Sequence, residues 1–205
     1  MTNILGLSFF YHDSAAALVQ DGVLVAAGEE ERFSRKKHDH GFPSLAIDFC
    51  LKRGGITAKD LDYVVFYEKP FVKLERILLS SMATFPRSMS VFRESMLTWL
   101  TDKLWIKSLM KEKLGLDPKK ILFADHHMSH AAASYFCSPF EESAILTVDG
   151  AGEWTTATLG VGKQNKVSIT HEMRFPHSIG LLYSAFTAFC GFVVHEGEYK
   201  LMGMA

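Results

Sequence analysis

The sequence predicts an α/β protein built on a repeated β-β-β-α-β-α unit, with the second copy stopping after its first helix. Three observations predict it. Short apolar runs alternate with helical patterns along the chain. "LGLSFFYHDSAAALV" (5–19) sets over "LTVDGAGEWTTATLG" (146–160) without a gap, each reading as strand, polar turn, strand. Both stretches are followed by a hairpin turn and a third strand, ending "EEERF" in one and "HEMRF" in the other.

The elements follow in order. "ILGLSFF" (4–10), "AAALVQ" (15–20) and "VLVAAGEEER" (23–32) are short apolar runs, the last two joined by Asp21-Gly22, a favoured two-residue hairpin signal. "PSLAIDFCLKRGG" (43–55) has helical spacing, proline at its start and a glycine pair at its end. "LDYVVFY" (61–67) reads as a strand, and residues 71–114 as a helical insertion rich in Met, Phe and Lys/Arg. "ILFADHH" (121–127) reads as a strand emptying into a histidine cluster, with a helix over 129–137. "SAILTVDG" (143–150), "TTATLGVG" and "KVSITHEMRF" are further strands, and "SIGLLYSAFTAFCGF" (178–192) is an apolar helix. Residues 1–140 then form the first half and 141–205 the start of the second.

A duplicated unit of this kind is the layout of the actin, hexokinase and heat-shock ATPase superfold. There two halves face each other, and the turn between strands 1 and 2 of each half points into the cleft. The incomplete second half and the ending "HEGEYKLMGMA" predict a fragment of a longer protein. With 205 residues, 48% apolar content and a formal net charge of −1, the chain has an ordinary globular composition and no electrostatic reason to bind nucleic acid. No apolar run approaches the roughly 20 residues of a membrane span, and no secretory signal opens the chain. Cys50, Cys137 and Cys190 are odd in number and form no C-x-x-C, as in a reducing, cytoplasmic compartment.

The stretch "DHHMSHAAASYF" (125–136) carries the chemistry. On a helix, His126 and His130 stand at i and i+4 on one face, near enough to share a metal ion. A His127/His130 pair is the alternative at i+3, and a solvated helix start is the non-functional reading. Asp149 ends the apolar strand "AILTVD", where a buried carboxylate is costly unless it meets a cation or donors. The repeat places it across the cleft from the histidines. Two imidazoles and one carboxylate with open positions suit iron(II), with zinc or manganese also fitting.

"FFYHDSAAALV", "DHHMSHAAASYF", "LTVDGAGEW" and "HEGEYKLMGMA", with "EEERFSRKKHDHGFP" (29–43), together resemble the O-carbamoyltransferases of the nodulation-protein and cephalosporin-carbamoylating type, over the whole chain. The chain is more distantly similar to the tRNA-threonylcarbamoyl transferase, whose metal site also uses H-x-x-x-H. The resemblance implies an iron-type metal held by His126, His130 and Asp149, with a further carboxylate ligand beyond residue 205. It also implies transfer of a carbamoyl group from carbamoyl adenylate to an acceptor hydroxyl. The adenylate would be made from carbamoyl phosphate and ATP by a carboxyl-terminal domain that this chain lacks, so the complete reaction is not expected of it alone.

His12 is the candidate base for the acceptor hydroxyl, with Asp13 orienting it or positioning the acceptor, unless Asp13-Ser14 is only turn chemistry. Gly150, Ala151 and Gly152 form a candidate phosphate-contacting turn, and Lys200 a candidate phosphate or carbamoyl contact. In 71–114, "WLTDKLWIKSLMKEKL" is amphipathic, and packing of its apolar face on the sheet is preferred to a lid. Expected partners are a small-molecule hydroxyl acceptor and carbamoyl adenylate, with a homodimer as the candidate assembly. Two other readings stand: a sugar kinase or phosphatase of the same superfold using aspartate and magnesium, and a non-enzymatic nucleotide-binding module.

Overall fold

"NILGLS" and "AAALVQ" form strands β1 (Asn3–Ser8) and β2 (Ala15–Gln20), each buried at every second residue. Asp21 (φ 47°) and Gly22 (φ 83°) turn the chain into β3 (Val23–Glu29), and two successive positive φ values are what a tight hairpin needs. In the computed structural model, which describes residues 1–11, 13–195 and 197–205, contacts divide the chain into two units, Met1–Ala124 and Asp125–Ala205.

The strand expected to run through Arg32 stops at Glu29, and α1 (Glu30–Ser34) follows. The reason is tertiary. The buried Glu30 carboxylate accepts the N–H groups of Leu45 (3.1 Å) and Ala46 (2.8 Å). It thereby caps the positive end of α2 (Ser44–Gly54). That helix closes on Gly55 in the left-handed conformation, as its glycine pair predicts. β4 (Tyr63–Phe66), α3 (Pro70–Ala83), α4 (Met89–Thr101), α5 (Ile106–Leu114) and β5 (Ile121–Phe123) complete the unit.

Its sheet has the order β3-β2-β1-β4-β5, with β1, β4 and β5 parallel and β2 antiparallel to both neighbours. The core joins Leu5, Leu7, Leu18, Val64, Phe66 and Ile121 to Ala46, Ile47 and Cys50 of α2 and to Ile106, Met110 and Leu114 of α5. The apolar stripe of the helical insertion therefore packs on the sheet.

The second unit opens with α6 (His126–Tyr135), so the strand expected over 121–127 ends at Phe123 and the helix starts earlier than position 129. β6 (Glu142–Val148), β7 (Thr155–Lys163) and β8 (Lys166–Arg174) form an antiparallel sheet in that order, followed by α7 (Ile179–Phe189) and α8 (Glu198–Met204). Ala131 and Tyr135 of α6 pack on Ile145, Val167 and Ile169 of this sheet. The division by contacts accordingly falls ahead of α6.

The two meanders share more than a pattern. Leu5 pairs with Leu18, and Leu146, its counterpart, pairs with Leu159. Each middle strand also carries an irregularity at the same place, Leu18/Val19 and Leu159/Gly160. The α/β class and the copied strand-turn-strand plan are those the sequence predicts. Among the described residues, no helix is long and apolar enough to cross a membrane.

Candidate metal centre

Helix α6 begins where Asp125 leaves the extended region, and its first residue, His126, is 6% exposed. Successive turns bring His130 beneath it, their ring centroids 4.8 Å apart. The chain returns through β6, and its last turn delivers Asp149. His126 Nε2 lies 2.7 Å from Asp149 Oδ2, His130 Nε2 lies 3.8 Å from the same oxygen, and the two imidazole nitrogens are 3.1 Å apart. A tetrahedral or octahedral ion with bonds of about 2.1 Å separates neighbouring ligand atoms by about 3.0–3.4 Å. The triangle brackets that spacing, so the donor set fits such an ion with shifts of a few tenths of an ångström.

The imidazole of His126 at 2.7 Å, and next that of His130 at 3.8 Å, hold the Asp149 carboxyl far below the usual carboxylate range, against the opposing effect of burial. Side-chain exposure rises from 7% at His126 to 32% at Asp149 and 54% at His130. The triangle thus opens on the His130 side, where further ligands would enter.

His127 takes no part in the triangle. Buried at 4% exposure, it has Nε2 2.9 Å from the Thr155 carbonyl and Nδ1 2.7 Å from Thr147 Oγ1. A carbonyl only accepts, so Nε2 carries the proton and Nδ1 accepts from the Thr147 hydroxyl. Thr147 Oγ1 in turn accepts from Thr158 Oγ1 at 2.6 Å. Burial, then the neighbouring His126, pushes the His127 pKa down, in keeping with a neutral ring. The His127/His130 alternative is thereby set aside: His127 anchors the helix to the sheet.

Glu153 is the residue that sequence reasoning missed. It is 7% exposed, and both carboxylate oxygens accept the His126 N–H, at 3.2 and 3.1 Å. A carboxylate at a helix N-terminus is favourable, and here it fixes the backbone of the first histidine. Two glycines make the close approach feasible. A Cβ on Gly152 would stand 3.0 Å from the His126 ring, and one on Gly180, at the start of α7, would strike the Asp149 carbonyl at 2.5 Å.

Residues 3–205 match the family model described as Carbamoyltransferase N-terminus. The chain belongs to this carbamoyltransferase family. It is 52% identical over 212 residues to Uncharacterized protein sll1178 of Synechocystis sp., covering 100% of this chain and 34% of that protein. It is 36% identical over 202 residues to Nodulation protein NolNO of Sinorhizobium fredii, covering 96% of this chain and 28% of the relative. The chain thus spans about a third of the length of the curated relatives it matches. YeaZ from Pseudomonas aeruginosa aligns over 86% of this chain and 68% of its own, at 13% identity and a TM-score of 0.48.

The predicted site residues of this family member fall as follows. His126, His130 and Asp149 meet within the second unit by contacts, where α6 packs on β6, β7 and β8. In the predicted phosphate turn, Gly150 N–H donates to Asp149 Oδ1 (2.6 Å) and Gly152 N–H to the Thr155 carbonyl (3.0 Å). Both amides are engaged inside the turn, which shapes Asp149. Lys200 sits exposed on α8, its ammonium 5.8 Å from the centre of the Tyr199 ring. Asp13 lies 3.0 Å, carboxylate to Nδ1, from His38, and His12 lies outside the described residues. The loop bearing His38 is tied to the β1–β2 turn by Phe10 N–H to the His40 carbonyl and Ser14 N–H to the Asp39 carbonyl, both 2.8 Å.

Proposed function

We propose that this chain is the metal-binding part of an O-carbamoyltransferase, acting on a carbamoyl adenylate donor and a small-molecule hydroxyl acceptor. The observation that carries the reading is the convergence of His126 Nε2, His130 Nε2 and an Asp149 oxygen within 4.8 Å of one another, in a chain of the carbamoyltransferase family. His126 and His130 would bind the ion as neutral imidazoles, and Asp149 would offset its charge. Glu153 and His127 hold the helix so that both rings face the aspartate, the kind of support that commonly matters tenfold or more to metal affinity. An iron(II), zinc or manganese ion bound there supplies Lewis-acid polarisation of the donor's phosphate or carbamoyl oxygen. The exposed flank at His130 leaves room for that oxygen. Formation of the adenylate from carbamoyl phosphate and ATP belongs, in this reading, to a region outside this chain.

Elemental analysis and metal titration test it. The chain should carry iron, zinc or manganese near one equivalent, and His126→Ala or Asp149→Asn should weaken binding at least about a hundredfold, each removing a ligand. Weak magnesium binding alone, unchanged in His126→Ala, would transfer the chain to the kinase-like reading.

A further inference from the structure

A second cluster of charge lies in the first unit, where the parallel strands β1 and β4 end. Past β4, Glu68 accepts a hydrogen bond from Lys73 of α3 at 2.6 Å, with their side chains 4% and 8% exposed. The Lys73 ammonium stands 4.9 Å from the centre of the Tyr11 ring, which follows β1. Lys103, on the short turn between α4 and α5, stands 5.8 Å from that same ring and 5.5 Å from the ring of buried Trp99. Two ammonium groups thus lie against one aromatic ring and in the field of one buried carboxylate. Asp102, the next acid along the chain, is exposed.

Positive charge gathered away from water is costly unless an anion offsets it. Burial, and next the Lys73 ammonium, push the Lys103 pKa down, against the opposing pull of Glu68 and Asp102. Tyr11 is 49% exposed, which leaves the cluster open to solvent on its side. Ligands of open α/β sheets bind outside the carboxyl ends of the parallel strands, and these residues occupy that edge of β1 and β4.

We infer that Lys73, Lys103 and Tyr11 form an anion-binding site that takes a phosphate group. The ammonium groups act as point charges on its oxygens, Glu68 fixes Lys73 in place, and Trp99 and Tyr11 fix Lys103. The site uses none of the metal-centre residues. The phosphate could come from a phosphorylated donor or from an acceptor, and the two sources are separable by experiment.

Calorimetric titration of the chain with inorganic phosphate, in the presence of a chelator that keeps metal out, tests the site. Saturable binding is expected, at least about tenfold weaker in Lys103→Gln and restored in Lys103→Arg. Tighter binding of adenosine monophosphate, which carries the phosphate of a carbamoyl adenylate, than of inorganic phosphate identifies the donor as the source, and tighter binding of a sugar phosphate than of either identifies the acceptor. Unmodified protein gives a second readout: phosphate should shield Lys103 from acetylation by acetic anhydride, read by mass spectrometry. Absence of saturable binding, equal binding by Lys103→Gln, or acetylation of Lys103 unchanged by phosphate would each overturn the proposal.

Discussion

The two β-meanders of this chain have one register and one bulge position but bury opposite faces. In the first, Leu5, Leu7 and Leu18 are 0–3% exposed and belong to the core under α2. Their counterparts Leu146, Val148 and Leu159 are 67%, 48% and 52% exposed. The reverse face of the second meander is the covered one, with Ile145, Thr147 and Thr158 at 3–6% exposure on the side where α6 packs. At one register position the pair is Gly6–Ala17 in the first copy and Thr147–Thr158 in the second. The backbone pairing is alike in the two while the side chains differ, one meander lining a hydrophobic core and the other forming a platform for the histidine helix.

The sharpest way to break this comparison is to truncate equivalent leucines. Leu18→Ala should cost about 2–5 kcal/mol, because a filled core site loses its contacts and leaves a cavity. Leu159→Ala should stay within about 0.5 kcal/mol, as surface substitutions do. Urea unfolding followed by circular dichroism reads both. Similar losses at the two positions would mean that the second face is covered in solution.

A smaller effect is expected from the platform. Thr147→Val keeps the side chain's shape but leaves His127 Nδ1 without its donor and Thr158 without its acceptor, at a cost of about 1–3 kcal/mol. Thr158→Val should cost less, since the Thr147 hydroxyl still donates to His127. The double variant should cost less than the sum of the two, the sign of a shared network. Strict additivity in that cycle would sink the chain of hydrogen bonds deduced here.

What was legible in the sequence follows the same division between local and long-range causes. Asp21-Gly22, the glycine pair closing α2 and the i, i+4 histidines are local signals, each with a conformation attached; the turn and the helix end appear where expected, while the histidines sit on a helix that starts earlier, at His126. Asp149 was legible as a charged residue ending an apolar strand. Glu153 was not: a lone glutamate in a glycine turn looks solvated until α6 folds over it and offers the His126 N–H. The short helix α1 was hidden for a like reason, because its Glu30 is buried by capping a helix that starts at Ser44. The pairing of Asp13 with His38 joins residues 25 apart through a loop whose path no periodicity records. The side of α6 to which the unit boundary falls depends on Ala131 and Tyr135 finding Ile145, again a contact with no local signature.

The smallest effect expected is chemical rather than energetic, and it separates the two units by their thiols. Cys50 lies in the first core at 0% exposure, its pKa pushed up by burial, whereas Cys137 and Cys190 of the second unit are exposed. Since the thiolate is the reactive form, a buried neutral thiol reacts only when its surroundings open. Treatment of the native chain with a thiol reagent should therefore modify two cysteines promptly and leave Cys50 intact. Stability of the doubly modified chain should change by no more than about 0.5 kcal/mol, as for other surface alterations. Leu18→Ala should bring the Cys50 reaction forward, because it weakens the core that shields this thiol, and Leu159→Ala should leave its rate alone. Three thiols reacting together in the native chain would show that the first meander is no better packed than the second, and the contrast between the copies would fail at its foundation.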